Sequence, residues 1–466
     1  MRIKIFEMLP VPSQLALRRI CKQVKSEIDN LVGLKVYLSM KDVADNTNKN
    51  LDWIQHIMIR KLTIRRESFY NPQEHWDLFF FLMNSKFLNL DHLALYNLKI
   101  QEDIQLAKLL FAISSLKSLR ELSLSLDLED NSSMSLNRGA AERNYNFSNL
   151  KTFNLTYNHR TGKCFNFQRP NENSNRSYLK SFRQMSCPKL KYLRVHLYTQ
   201  YLDPQTKYLL WYLELLQKFA STLKYLKISV VYWPSSLTED KYFDTVTINE
   251  KALRIGSEFR NLKELDVDFF GGLITINDER SGPIKGWMNL FYGMRASLEN
   301  LKILLCQGSQ ALCNQYELLT KNSFPHLKVL NLVWNHFQLD WKMMTQISDH
   351  LETLKLQSRG GGFNKKVKNF DQIPLSLKKI ALWDFASSVE DWDFLIKLIS
   401  LRKSLTVEYN FLINFQMAEY LGDCLTWPNF IWKGIKYNNQ EELSVTSLCL
   451  AFDISWKKLY RLEPCS

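Results

Sequence analysis

The sequence predicts an α/β solenoid, a curved parallel sheet with outer helices, preceded by a small helical head. Three observations carry that expectation. An apolar phrase, Leu-x-x-Leu-x-Leu, recurs along most of the chain. Stretches between its copies hold apolar residues at helical spacing. The first 38 or so residues show helical stripes and are read as lying outside the repeat.

The copies are Leu90/Leu93/Leu95, Leu119/Leu122/Leu124, Leu150/Phe153/Leu155, Leu190/Leu193/Val195 and Leu223/Leu226/Ile228. They continue as Leu262/Leu265/Val267, Leu298/Leu301/Ile303, Leu327/Leu330/Leu332, Leu351/Leu354/Leu356 and Leu377/Ile380/Leu382. Ile59/Leu62/Ile64 fits as an earlier copy and Val445/Leu448/Leu450 as a late one. The spacing runs from about 24 to about 40 residues, the range of stacked repeat units. The last two slots of each phrase alternate with polar residues, so they point to one face of a short strand. The first slot turns into the same core. One such strand cannot bury its face alone; stacked copies can, with the connecting segments returning outside.

Helical stripes mark those connections. They are Ile104, Ala107 and Phe111; Leu209, Leu213, Leu216 and Ala220; Trp287, Leu290, Phe291 and Met294; and Trp392, Leu395, Ile396 and Ile399. Asp203-Pro204 suits a helix start, with Asp as cap and Pro at the first helical position. The aromatic residues in these stripes are read as core and not as a cofactor pocket. Polar insertions lengthen several intervals, including 129–146, 159–177, 234–249 and 271–286, and a Gly-basic tract follows Arg359. Such insertions are surface loops, either bland or beside a binding face.

In the first segment, Phe6, Leu9, Leu15, Leu17, Ile20, Cys21, Val24 and Ile28 form short helical stripes broken at Pro10 and Pro12. The predicted organisation is therefore a helical module over 1–38, a connector over 39–54, the solenoid over 55–410 and a C-terminal repeat or cap over 411–466. The last segment carries Trp427, Trp432 and Trp456 and is too apolar for a tail.

Formal net charge is +14, which predicts weak attraction to acidic partners, RNA or anionic lipid. The basic residues never condense into a long run, so the charge does not point to nucleic acid. The eight cysteines form no Cys-x-x-Cys pair and no zinc spacing, and they read as reduced thiols of an intracellular protein. The N-terminus has no apolar run that suits a signal peptide, and no later run suits a membrane span.

Taken together, the copies resemble the leucine-rich-repeat family over residues 55–410, in its irregular intracellular branch. Asn158, Asn335 and Cys306 match the family's Asn/Cys slot after the strand. The stretch from Ile5 to Ile28 resembles the later part of an F-box, truncated or degenerate. Leu9-Pro10, Leu15, Leu17, Arg18, Ile20, Cys21 and Lys22 fall on that family's pattern. The resemblance implies a hook for a Skp-type adaptor and a cullin ligase core. Ile5, Phe6, Leu9, Pro10, Leu15, Leu17 and Ile20 would supply the adaptor contact or the core behind it. The alternative is that these helices only cap the solenoid.

No catalytic motif is present: no His-Glu-x-x-His, Gly-x-Ser-x-Gly or phosphate-cradling Gly loop. The sequence therefore predicts no enzyme, no cofactor and no metal. Candidate partner contacts are the residues between the strand leucines, which face outward on the concave side. They include Tyr192, Arg194, His196, Tyr225, Lys227, Glu264, Asp266, Asp268, Lys302, Asn331, Lys355 and Trp383. Their charges either recognise a partner of both signs or pair across neighbouring strands. The resemblances together imply the substrate-recognition subunit of a Skp–cullin–F-box ubiquitin ligase, cytoplasmic or nuclear, with an unknown protein substrate. The alternative is a repeat scaffold outside any ligase.

Overall fold

The computed structural model describes residues 34–39, 59–65, 89–100, 103–129, 144–160, 181–182, 184–199, 205–232, 245–271, 282–305, 324–335, 347–359, 374–383, 397, 400, 402–410, 430–432, 434–435 and 442–443. The chain forms two compact units, Met1–Leu237 and Thr238–Ser466. Both are α/β solenoid-like stacks of parallel strands.

The first unit holds β1 (Leu34–Ser39), β2 (Ile59–Arg65), β3 (His92–Ile100), α1 (Asp103–Ser114), β4 (Glu121–Glu129), β5 (Tyr145–Asn146), β6 (Thr152–Arg160), β7 (Met185–Ser186), β8 (Tyr192–Thr199), α2 (Gln205–Phe219) and β9 (Tyr225–Tyr232). Its strands pair in parallel in the order β1-β2-β3-β4-β6-β8-β9. The short strands β5 and β7 make a separate parallel pair.

The second unit holds α3 (Thr245–Ser257), β10 (Glu264–Gly271), α4 (Gly282–Gly293), a turn of 3-10 helix (Met294–Ala296), β11 (Asn300–Leu305), β12 (Val329–Asn335), β13 (Thr353–Arg359), β14 (Lys379–Trp383), β15 (Thr406–Asn410) and β16 (Phe430–Trp432). From β10 to β16 each strand pairs in parallel with the next in sequence. β17 (Gly434–Ile435) and β18 (Glu442–Leu443) form an antiparallel pair.

The phrase fixes this register. Phe153 of β6 stands opposite Leu193 of β8, and Leu330 of β12 opposite Leu354 of β13, so equivalent slots stack. In the ten copies from Leu90 to Leu382, no slot residue is more than 3% exposed. Truncating one such leucine to alanine costs about 2–5 kcal/mol.

A backbone device repeats alongside. The residue after the first slot offers its carbonyl to two amides of the next repeat. Lys151 O accepts from Lys191 N and Tyr192 N, and Lys328 O from Glu352 N and Thr353 N. Successive repeats are thereby clamped before the strand ladder begins.

A further apolar slot precedes the phrase by three residues. Leu116, Phe147, Cys187, Phe259 and Phe324 occupy it, all buried, and each offers its carbonyl to the amide of the first leucine. The same turn reveals a copy that the phrase search missed. Leu405 precedes β15, which carries Val407 and Tyr409, so this copy has one residue fewer between its first two slots. Only Thr406 N then reaches Lys378 O, where other repeats send two amides.

Three expectations change. The helical head was placed over 1–38, yet Leu34–Ser39 is a strand paired with β2, so sheet residues begin inside that segment. The alternation of Leu34, Val36 and Leu38 is the signal, and Leu31, Leu34 and Val36 carry the spacing of the phrase itself. The α1 stripe was expected at Ile104, Ala107 and Phe111. Instead Leu106, Leu109, Leu110 and Ile113 are buried and Phe111 is 50% exposed. This helix is apolar on nearly every side, and the denser i, i+3, i+4, i+7 set faces the core. Between β4 and β6, and between β6 and β8, the described returning segments are the small strands β5 and β7, with Tyr145, Phe147, Phe182 and Met185 buried.

The other stripes fall as expected where they are described. Leu213, Leu216 and Ala220 are buried on and beside α2. Trp287, Leu290, Phe291 and Met294 are buried, with the Trp287 and Phe291 rings stacked at 6.1 Å. Residues 1–33, Asp203-Pro204, Trp392–Ile396, Ile399 and Val445–Leu450 lie outside the described residues, as does most of each polar insertion; where the insertions expected as surface loops are described, β5 lies in 129–146, and α3 and α4 begin inside 234–249 and 271–286.

Candidate partner-binding face

The strands leave two polar settings: outward residues within each strand, and the residue after the first slot at the strands' N-terminal lip. On the first unit the outward row reads His92, Ala94 and Tyr96 on β3; Glu121, Ser123 and Ser125 on β4; and Thr152, Asn154 and Thr156 on β6. It continues as Tyr192, Arg194 and His196 on β8 and Tyr225, Lys227 and Ser229 on β9.

Small side chains floor β4 and β6. Asn154 Nδ2 donates to Ser123 Oγ at 2.9 Å, while Asn154 Oδ1 is buried without a hydrogen-bond partner. To one side His92 Nε2 meets Glu121 Oε2 at 2.8 Å. Asn97 has φ 57°, within the left-handed region that Asn tolerates. It accommodates a bulge where β3 carries an extra residue against β4, and Tyr96 beside it is exposed.

To the other side the register sets Tyr192 beside Tyr225 and Arg194 beside Lys227. The two tyrosine rings lie 6.2 Å apart and tilted by 41°. The Arg194 guanidinium sits over the Tyr225 ring at 5.7 Å, a cation–π arrangement. Tyr192 is 47% exposed. Exposed aromatics and Arg in contact are the composition of interface hot spots.

The second unit carries Glu264, Asp266, Asp268, Lys302, Asn331, Lys355 and Trp383. Here charges pair across strands. Asp266 stands opposite Lys302 in register, 3.5 Å from its ammonium, and Lys379 Nζ lies 2.5 Å from Glu408 Oε1. Asp268 is only 8% exposed, as Ser125 and Ser229 are buried on the first unit. Trp383 ends β14, and its side chain lies outside the described residues. Arg194, His196 and Lys227 belong to the first unit and the three acids to the second.

The lip column also differs between the units. In the second it reads Lys263, Glu299, Lys328, Glu352, Lys378, alternating in sign. Glu299 meets Lys263 at 2.7 Å and Lys328 at 3.3 Å, and Glu352 meets Lys378 at 3.4 Å. Hydrogen bonds from Lys263 and Lys328 hold the Glu299 carboxyl below the usual carboxylate range. In the first unit the column begins alike, with Asp91 between Arg60 at 3.8 Å and Arg120 at 3.9 Å. It then runs Lys151, Lys191, Lys224, all exposed. Among the described residues none forms an ion pair with these three lysines. Sequence inspection missed this column because its members lie far apart in the chain; only the repeat register brings them together.

No family model matches the chain, and no curated protein does. Among solved structures it is similar to a chain of the crystal structure of the Rad7 and Elc1 complex in yeast. The identity is 14%, the match covers 72% of this chain and 70% of that one, and the TM-score is 0.32.

Among the described residues no group of three or more His, Cys, Asp or Glu is placed to hold a metal ion. Burial pushes the Cys187 thiol up to about 12, with Lys218 opposing, so it stays protonated and unreactive near neutral pH. Among the described residues no helix is long and apolar enough to cross a membrane.

Proposed function

We propose that this protein is the substrate-recognition subunit of a Skp–cullin–F-box ubiquitin ligase, acting inside the cell and doing no chemistry itself. The observation that carries the reading is the Tyr192–Tyr225–Arg194 cluster on the outward strand face. Rigid aromatic anchors beside a cation, set on a sheet, suit capture of a protein surface. The resemblance of Ile5–Ile28 to an F-box supplies the link to a Skp-type adaptor. In this reading Ile5, Phe6, Leu9, Pro10, Leu15, Leu17 and Ile20 engage the adaptor, while the repeat face holds the target.

Co-purification of the full chain with a Skp-type adaptor tests it. Capture is expected for the native chain and is expected to be lost with Leu9→Asp plus Leu15→Asp. Arg194→Glu or Tyr225→Ala is expected to leave adaptor capture intact and abolish target capture, because both sit on the repeat face. A native chain that never retains the adaptor would retire the ligase reading in favour of a repeat scaffold whose first helices only cap the array.

A further inference from the structure

We propose that the first unit binds an acidic, extended peptide segment of its partner along Lys151, Lys191 and Lys224, beside the Tyr192–Tyr225–Arg194 cluster. The inference rests on the reading of the repeat face as a surface that captures a protein, and it names the chemistry of what is captured.

The backbone clamp makes these lysines immediate neighbours: Lys151 O takes the amide of Lys191, and Lys191 O that of Lys224. They therefore stand about 4.8 Å apart at the backbone and span about 10 Å. Like charges set side by side on neighbouring strands repel. The same structural position in the second unit avoids this by alternating Lys and Glu, with ion pairs of 2.7 to 3.4 Å. Position alone thus does not demand lysine, and an exposed acid would be accommodated. Further cations flank the stack. Arg120 precedes it in the column, Arg194 and Lys227 lie one step into β8 and β9, and Lys189 reaches Asn149 Oδ1 at 2.8 Å. A polyanion laid across the strands would relieve the repulsion that the fold leaves in place.

The anion's class follows from geometry. Alternate carboxylates of an extended chain lie about 6.7 Å apart, so four or five residues cover the stack, and flexible lysine stems absorb the mismatch. Single-stranded nucleic acid would want open aromatic faces for its bases. Here the Tyr225 face is already covered by Arg194, and Tyr192 leans on Tyr225.

Fluorescence anisotropy with the full chain tests the proposal, using a labelled twelve-residue Glu-Gly repeat peptide, its Lys-Gly counterpart and a labelled twelve-nucleotide oligouridine. The Glu-Gly peptide is expected to bind at low salt and to weaken as salt rises, while the Lys-Gly peptide does not bind. Replacing Lys151, Lys191 and Lys224 together by alanine should raise the Kd about tenfold or more. The triple Lys→Arg variant should retain binding. Lys263→Ala, Lys328→Ala and Lys378→Ala together remove the same charge from the alternating column and should change the Kd by less than about twofold. The first triple variant should melt no lower than the native chain, which separates lost binding from lost folding. Equal losses in both alanine triples would reduce the effect to net charge and overturn the proposal, as would an unchanged Kd. Tighter binding of oligouridine than of the peptide, lost in the first triple variant, would overturn the peptide class. Adaptor capture by the first triple variant is expected to be unchanged, so failure of the ladder and failure of the ligase reading are read separately.

Discussion

Gly256→Ala puts two physical effects of opposite sign into one methyl group. Gly256 lies on α3 where it crosses α4 at Gly293. A Cβ at position 256 would stand 2.2 Å from Leu290 O and 2.8 Å from Gly293 Cα. A Cβ at 293 would stand 2.5 Å from Leu253 O and 2.7 Å from Gly256 Cα. Every close atom is backbone, so no side chain can swing aside. An ordinary carbon–oxygen contact of about 3.3 Å requires the helices to part by about 1 Å. Overpacking of that kind costs about 1–3 kcal/mol. Against it, alanine is about 1 kcal/mol better than glycine inside a helix. The expected balance runs from near zero to a net loss of about 2 kcal/mol, seen in urea unfolding as a midpoint no higher than native with an unchanged slope. In a unit of this length the melting temperature should fall by up to about 8 °C. Gly256→Ala with Gly293→Ala should cost less than the sum of the two, because the first methyl has already separated the helices. A Gly256→Ala variant that is more stable than the native chain would show that helix propensity wins and that the backbone contact is not limiting.

Two further outcomes follow from single side chains. Arg402 donates to Pro374 O, Leu375 O and Leu377 O at 2.8 to 2.9 Å, holding the turn of the preceding repeat, and its partial burial pushes its pKa down. Arg402→Ala should lower stability by about 1.5–3 kcal/mol, and Arg402→Lys should recover less than half, since an ammonium cannot span three carbonyls in one plane; full recovery by Lys in chemical denaturation would refute the fork geometry. Cys187 should resist iodoacetamide in the native chain near pH 8 and react once urea unfolds it, as mapped by mass spectrometry of its peptide. Because its folded pKa is raised to about 12, its linkage favours the fold below the ordinary thiol pKa and erodes stability as pH rises from about 9 towards 12. Native labelling at neutral pH would contradict the burial.

The legibility of this chain follows the spacing of its signals. The slots Leu330 and Leu332 lie two residues apart, and their alternation with Asn331 is enough to define a strand, so the phrase locates nearly every repeat. Leu405/Val407/Tyr409 escaped because one deleted residue breaks the pattern while the turn at Arg402 restores the stacking. The α1 stripe was misassigned because a helix apolar on most sides offers several stripes, and only packing chooses among them. The candidate face was legible residue by residue: Tyr192, Arg194, Tyr225 and Lys227 are outward as alternation requires. The contacts among them were not, since the 33 residues from Tyr192 to Tyr225 become one strand spacing only through the register.

That register also explains why charge patterning carries more functional information here than composition does. The lip residue touches no core, so its identity is not constrained by packing. Only its neighbours in adjacent repeats constrain it, and the least costly solution is to alternate sign. The second unit adopts that solution through Lys263, Glu299, Lys328, Glu352 and Lys378, and the first unit begins it with Arg60, Asp91 and Arg120. Such surface pairs are worth at most about 1 kcal/mol each, so a break in the pattern is cheap, but it is still a departure from local consistency. Departures of this kind concentrate at functional sites. The break at Lys151, Lys191 and Lys224 sits beside the exposed aromatic and Arg cluster. Two independent features, unbalanced charge and exposed aromatic surface, thus meet on the same strands β6, β8 and β9, and a partner that satisfies one is positioned to satisfy the other.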